Sequence, residues 1–143
     1  MKEMKKCRII VFLSLVLFSL QISASDCIKG DKAFELMQYH KAITEYEKCL
    51  NDDKSNLKTI EQLADSYRIL DNYAKAAEYY QMILKGKSTS LKAKYWYASS
   101  LLASDQTELC RNFVDSMSVR HPKDADFLRL QSSLQNLEEK ETY

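Results

Sequence analysis

The side chains with the greatest reactivity in this sequence are four cysteines, at positions 7, 27, 49 and 110, and two histidines, His40 and His121. Structural zinc needs paired ligands about two to four residues apart. Cys27, Cys49 and Cys110 are instead separated by 22 and 61 residues, and neither histidine has a Cys or His neighbour at a ligand spacing. No metal site is expected. A Cys/His nucleophile pair is the next chemistry to test. Cys110, however, falls in a column of small residues, which marks it as a buried, inert thiol. Glycine occurs only at positions 30 and 86, too sparsely for a phosphate-cradling loop. The carboxylate pairs Asp52-Asp53 and Glu138-Glu139 are sequence neighbours in a link and a tail, and they read as solvated charge. No catalytic residue and no cofactor are expected, and the chain is read as a non-enzyme.

The elements that would carry a binding site come from the composition. With 143 residues, 45% hydrophobic and 29% charged, the chain suits one folded domain. Two glycines and one proline are too few to punctuate an all-β fold, but they suit helices joined by short links. Residues Met1–Arg8 are basic, Ile9–Leu20 is an apolar run of about a dozen residues, and Ser23-Ala24-Ser25 follows. That order predicts a secretory signal peptide over 1–24, with an apolar run too short to span a bilayer. Membrane contact is therefore expected only through this segment if it stays uncleaved. Without Lys2, Lys5, Lys6, Arg8 and Glu3 the balance is 21−4 = 17 basic against 20−1 = 19 acidic, near −2. That balance gives no basic footprint for nucleic acid.

The remainder repeats every 34 residues. Tyr39-His40-Lys41-Ala42-Ile43-Thr44-Glu45-Tyr46 and Tyr73-Ala74-Lys75-Ala76-Ala77-Glu78-Tyr79-Tyr80 share Tyr-x-Lys-Ala-x-x-x-Tyr at an offset of 73−39 = 34. The same offset relates Gly30, Ala64 and Ala98, and again Ala42, Ala76 and Cys110. Small residues in two columns, one on each helix of a unit, let the helices approach closely. Tyr46, Cys49 and Leu50, then Leu63, Tyr67, Tyr80, Ile83 and Leu84, are expected to fill the space around them. Breaks are expected at Gln38-Tyr39, Asp71-Asn72 and Asp105-Gln106, which places His40 in a turn. Phe127, Leu128, Leu130, Leu134 and Leu137 give an amphipathic last helix, with Asp124 or Asp126 near its start and solvated glutamates at its end.

These residues resemble the tetratricopeptide repeat (TPR) family, a helix–turn–helix repeat of about 34 residues. The resemblance rests on Gly30, Tyr39, Ala42 and Tyr46, on Ala64, Tyr67, Tyr73, Ala76 and Tyr80, and on Tyr97, Ala98, Leu101, Cys110 and Pro122. Asp26, Ile60 and Lys94 depart from the aromatic usual early in the first helix. The resemblance implies an all-α solenoid, a right-handed superhelix. Residues 25–124 would form three repeats, at about 23–56, 57–90 and 91–124, and 125–143 would form a capping helix and tail.

The resemblance also implies a concave groove lined by the first helix of each unit and open to a peptide or partner helix. The groove candidates are Asp31, Phe34 and Glu35; Glu61, Gln62, Asp65 and Arg68; and Lys92, Tyr95, Trp96, Ser99 and Leu102. The family's two-carboxylate clamp would map to Cys27, Asp31, Gln62, Lys92 and Trp96. Only Lys92 fits it, so the clamp is rejected. The groove is expected to be acidic over units 1 and 2 and aromatic over unit 3. Cys27 and Cys49 lie near adjacent ends of one antiparallel hairpin in an exported chain, and a bridge between them is expected, with Cys110 left as a buried thiol. The function implied is a protein-interaction module or scaffold in the cell envelope or outside the cell, with a protein or peptide partner. The alternative is a subunit of an envelope sensor or secretion and assembly complex.

Overall fold

The computed structural model describes residues 27–52, 55–86 and 89–141, so the leader expected at 1–24 lies outside the described residues. Apolar side chains recurring every three or four residues give most of the helices an inward face, whereas Leu91–Ala103 carries apolar and aromatic side chains on nearly all sides. In chain order these are α1 (Ile28–Glu35), α2 (Tyr39–Asp52), α3 (Leu57–Ile69), α4 (Tyr73–Leu84), α5 (Leu91–Ala103), α6 (Thr107–Arg120) and α7 (Ala125–Glu141). There is no strand among the described residues, and the fold is all-α. Each helix packs on the next one from α1 to α5, α5 packs on both α6 and α7, and α6 packs on α7. Contact between α1 and α3 links the first helices of successive hairpins. No helix among the described residues is long and apolar enough to cross a membrane.

Side-chain caps set several helix starts. Asn56 accepts from Thr59 N–H, Asn72 from Lys75 N–H and Ser90 from Ala93 N–H. The Asp124 carboxylate accepts from the N–H groups of Asp126 and Phe127, and so starts α7. Such caps satisfy donors that the helix itself leaves without partners.

The turn within each hairpin is the same structure built three times. Met37, Asp71 and Asp105, each 34 residues after the last, adopt left-handed φ values of 57°, 57° and 60°. Beyond them Gln38 N–H donates to Ala33 C=O, Asn72 to Tyr67 and Gln106 to Leu101, at 2.8–2.9 Å. This is the six-residue closure that usually employs glycine. Here methionine and aspartate take the strained position, at a cost of order 1 kcal/mol each. The first break therefore comes at Met37-Gln38, one residue before the expected Gln38-Tyr39, because the turn keeps the 34-residue register. His40 is accordingly not in a turn but in the first turn of α2.

Packing follows the small columns. Ala42, Ala64, Ala76, Ala98 and Cys110 are all fully buried. Gly30 is the tightest point, since a Cβ there would lie 2.5 Å from the Tyr46 ring. Tyr46, Tyr80, Leu63 and Ile83 are buried, whereas Cys49, Leu50, Tyr67 and Leu84 are only half-buried at the edges. Ile60, which stands where the family usually has an aromatic, is 2% exposed and joins the core. In α7 the buried set is Phe127, Leu130 and Leu134, while Leu128 and Leu137 lie outside. The face that α7 turns inward is thus narrower than its apolar pattern. Glu138 is exposed, as expected, and also pairs with Arg111 of α6 at 3.0 Å.

Cys27 and Cys49 are joined by a disulfide with Cα atoms 6.0 Å apart, linking the start of α1 to α2. Cys110 is free and buried, and its thiol donates to Ala98 C=O at 3.2 Å. Burial pushes this thiol up to about 11. Native oxidised protein at neutral pH should therefore show no thiol that reacts with a maleimide among these three cysteines. Unfolding should reveal one and reduction three. Cys49→Ser should cost roughly 3 kcal/mol, the chain-entropy value for a loop of this size. Mass spectrometry after labelling and urea melts check these values; two or more reactive thiols before reduction would contradict them.

Candidate partner-binding groove

The groove candidates lie on α1, α3 and α5. Two that read as free negative charge are not free. The Tyr46 hydroxyl donates to Asp31 at 3.1 Å, and Lys58 donates to the other Asp31 oxygen at 2.8 Å. Thirty-four residues on, the Tyr80 hydroxyl donates to Asp65 at 2.5 Å, and Arg68 pairs with the same carboxylate at 3.3 Å. Burial, with the neighbouring carboxylate, raises both phenols well above the ordinary tyrosine value, so neither ionises in any useful range. Of the four carboxylates expected to make the groove acidic over the first two units, Asp31 and Asp65 are engaged in this way, while Glu35 is exposed and Glu61 half-exposed. Asp31 and Asp65 are structural acceptors whose charge is offset by Lys58 and Arg68. The signal was present in the sequence, because Asp31/Tyr46 and Asp65/Tyr80 keep the same spacing. In the third unit Ser99 and Val114 stand at those positions, and the bond is gone.

Arg68 connects α3 to α5. Its Nε donates to the Tyr80 oxygen at 3.2 Å, and its guanidinium carbon lies 3.9 Å from the centre of the Trp96 ring. Burial works against the Arg68 charge, but the bonds to Tyr80 and Asp65 outweigh it and raise its pKa. Trp96 is half-buried, and its other close aromatic neighbour is Tyr95, with ring centres 4.8 Å apart and planes tilted by 60°. Gln62 and Trp96 occupy equivalent places on successive first helices. Gln62 Oε1 and Trp96 Nε1 are both buried with no hydrogen-bond partner among the described residues.

A cleft of about 220 Å³ opens where α5 meets the start of α7, lined by Leu91, Lys92, Tyr95, Trp96, Asp124 and Asp126. Lys92 is exposed, and Glu61 and Ser99 are half-exposed. Phe34 is turned edge-on to Tyr39 at 5.4 Å, beside the first hairpin turn, and Leu102 packs against the core. Asp124 and Asp126, which sequence reasoning assigned only to the start of the last helix, thus join Lys92, Tyr95 and Trp96. That meeting depends on α5 and α7 being neighbours, which no spacing along the chain reveals. Among the described residues no group of three or more His, Cys, Asp or Glu side chains is arranged to hold a metal ion.

The first TPR domain of Spaghetti (RPAP3), solved bound to the HSP90 peptide SRMEEVD, superposes with a TM-score of 0.64 at 19% identity. The match covers 76% of this chain and 86% of that one. The chain has the TPR fold. MamA superposes on the array with a TM-score of 0.68 at 21% identity, over 76% of this chain and 59% of MamA. YrrB, described as a TPR protein with an unusual peptide-binding site, does so at 0.64 and 15% identity, over 76% of this chain and 56% of YrrB. In sequence, 55 residues are 36% identical to the general transcriptional corepressor trfA of Dictyostelium discoideum, a stretch that is 38% of this chain and 4% of the corepressor. No protein-family model matches the chain.

In this TPR array Arg68 is the strut between the second and third units. Arg68→Ala should remove a charge-assisted bond and a cation–π contact, and cost about 1–2 kcal/mol. It should also move the emission of Trp96, the sole tryptophan, to longer wavelength. Urea melts with fluorescence detection read both. Unchanged emission would mean that Arg68 does not cover the ring.

Proposed function

We propose that this chain is a non-enzymatic protein-interaction module that takes a peptide or partner helix on the face formed by its first helices. The observation that carries the reading is the cleft at α5 and α7, where Trp96, Tyr95 and Lys92 meet on a TPR scaffold. Tryptophan, tyrosine and arginine are the residue types that most often dominate binding energy. Here Trp96 lines the cleft, and the Arg68 guanidinium lies over its ring. Lys92 and the two aspartates give the cleft charges of both signs, which suits a polar or zwitterionic segment better than a bare C-terminal carboxylate. At the clamp positions Asp31 is engaged by Lys58 and Tyr46, and Trp96 by Arg68. A partner of a different kind from the EEVD-type peptide bound by the RPAP3 domain is therefore expected. A buried thiol at Cys110, with its pKa raised, is the reverse of an activated nucleophile and supports a non-catalytic role.

The proposal includes export to the cell envelope or beyond. Its support is the basic–apolar–small pattern over 1–25; the Cys27–Cys49 bond is compatible with it, since disulfides persist mostly in oxidising compartments.

Trp96→Ala should weaken partner binding by about 2 kcal/mol or more while helicity stays within a few per cent. The partner is first captured from the envelope fraction with the leaderless protein, and affinity is then measured by calorimetry. Equal affinity for the variant would remove Trp96 from the site. Export predicts a mature N-terminus near Ser25. Edman degradation of protein taken from its native compartment reads this directly, and Met1 on soluble cytosolic protein would refute it.

A further inference from the structure

A second cleft, of about 390 Å³, is not on the first helices. It is lined by Glu47, Leu50 and Asn51 of α2 and by Tyr79 and Met82 of α4, the second helices of two successive hairpins. The chemistry of its wall is specific. Tyr79 lies parallel to Tyr67, with ring centres 5.6 Å apart and planes within 7°, so one aromatic plate is braced by another. The Tyr67 hydroxyl donates to Glu47 Oε1 at 2.6 Å and fixes that carboxylate at the rim. Leu50 and Met82 add apolar surface, and Met82 is 40% exposed. Lys75 feels the Glu47 charge, but its own ammonium is bonded to Glu78 at 2.7 Å.

A fixed carboxylate beside a braced aromatic face and an apolar floor is the complement of a guanidinium on an aliphatic stem. Arginine stacks on aromatic faces and pairs with carboxylates through two N–H groups, whereas its methylenes prefer apolar surface. We propose that this second-helix cleft is a docking site for an arginine side chain carried by a partner protein, separate from the first-helix groove. The repeat itself argues that the site is particular to one junction. One unit later Glu47, Tyr67, Tyr79 and Met82 become Gln81, Leu101, Phe113 and Ser116 (each +34), so an aromatic plate remains but the carboxylate and the tyrosine that holds it are both lost.

The test uses the oxidised chain, labelled with ¹⁵N, and two blocked tripeptides. One is acetyl-Gly-Arg-Gly-amide, and the other carries citrulline, which keeps the shape and loses the charge. The arginine peptide should give saturable shifts centred on the amides of Glu47, Asn51, Tyr79 and Met82, with at least fivefold tighter binding than the citrulline peptide. Glu47→Gln, which retains an acceptor for Tyr67, should lower the arginine affinity at least fivefold. Trp96→Ala should leave it within twofold, so failure of the first-helix groove and failure of this site are read separately. Citrulline binding within twofold of arginine, full affinity in Glu47→Gln, or shifts centred on Lys92 and Trp96 would each overturn the proposal. The comparison of the two peptides on the unaltered chain decides even if Glu47→Gln fails to fold.

Discussion

Most of this structure hangs on how closely two helices of a hairpin can lie. Gly30 under Tyr46 is the limiting case, because even a methyl group would collide with the ring. At that distance the phenol passes across the seam and its hydroxyl reaches Asp31 on the facing helix. Ala64, Tyr80 and Asp65 repeat the arrangement in the second hairpin. A buried hydroxyl and a half-buried carboxylate would each cost free energy alone, and together they satisfy one another. The small column permits the approach, the tyrosine fills it, and the aspartate completes it.

That pairing also sets the electrostatics of the exposed face. Asp31 and Asp65 are committed to the scaffold, and each brings a cation with it, Lys58 in one case and Arg68 in the other. Arg68 then reaches the next unit and covers Trp96. The residue that most resembles a binding anchor is therefore positioned by the same network that closes the preceding hairpin. The third unit lacks the tyrosine–aspartate bond. Val114 is buried there instead, and the last helix packs on this unit through Phe127, Leu130 and Leu134, with the Arg111–Glu138 pair at its edge. The cleft with Trp96 opens at this junction, where α5 adjoins α7 rather than another regular hairpin.

The two faces of the array differ in how their charge is held. On the first-helix side, Lys92 shares the cleft with Asp124 and Asp126, so groups of both signs line it. On the second-helix side, Glu47 is held at its rim by a phenol and not by a cation. A hydroxyl donor orients a carboxylate without cancelling its charge, which leaves Glu47 able to act on whatever enters the cleft. Asp65 has both a phenol and a guanidinium, and its charge is spent.

By itself the sequence determined the helical class, the 34-residue period and the residues of the small columns. Those features depend on side-chain size and spacing along one chain, and both are visible in the letters. It also contained the Asp31/Tyr46 and Asp65/Tyr80 spacing, although two carboxylates on a solvent-facing helix read as free charge until a phenol is seen beside them. Only the tertiary structure decided which charges are committed. The same holds for Lys92 sharing a cleft with Asp124 and Asp126, for Arg68 covering Trp96, and for Glu138 pairing with Arg111. These arrangements join helices through space, and their existence depends on angles and distances between elements that no periodicity encodes. The left-handed Met37 belongs with them. Nothing in methionine calls for that conformation, and it is imposed by a turn whose closure the neighbouring repeats share.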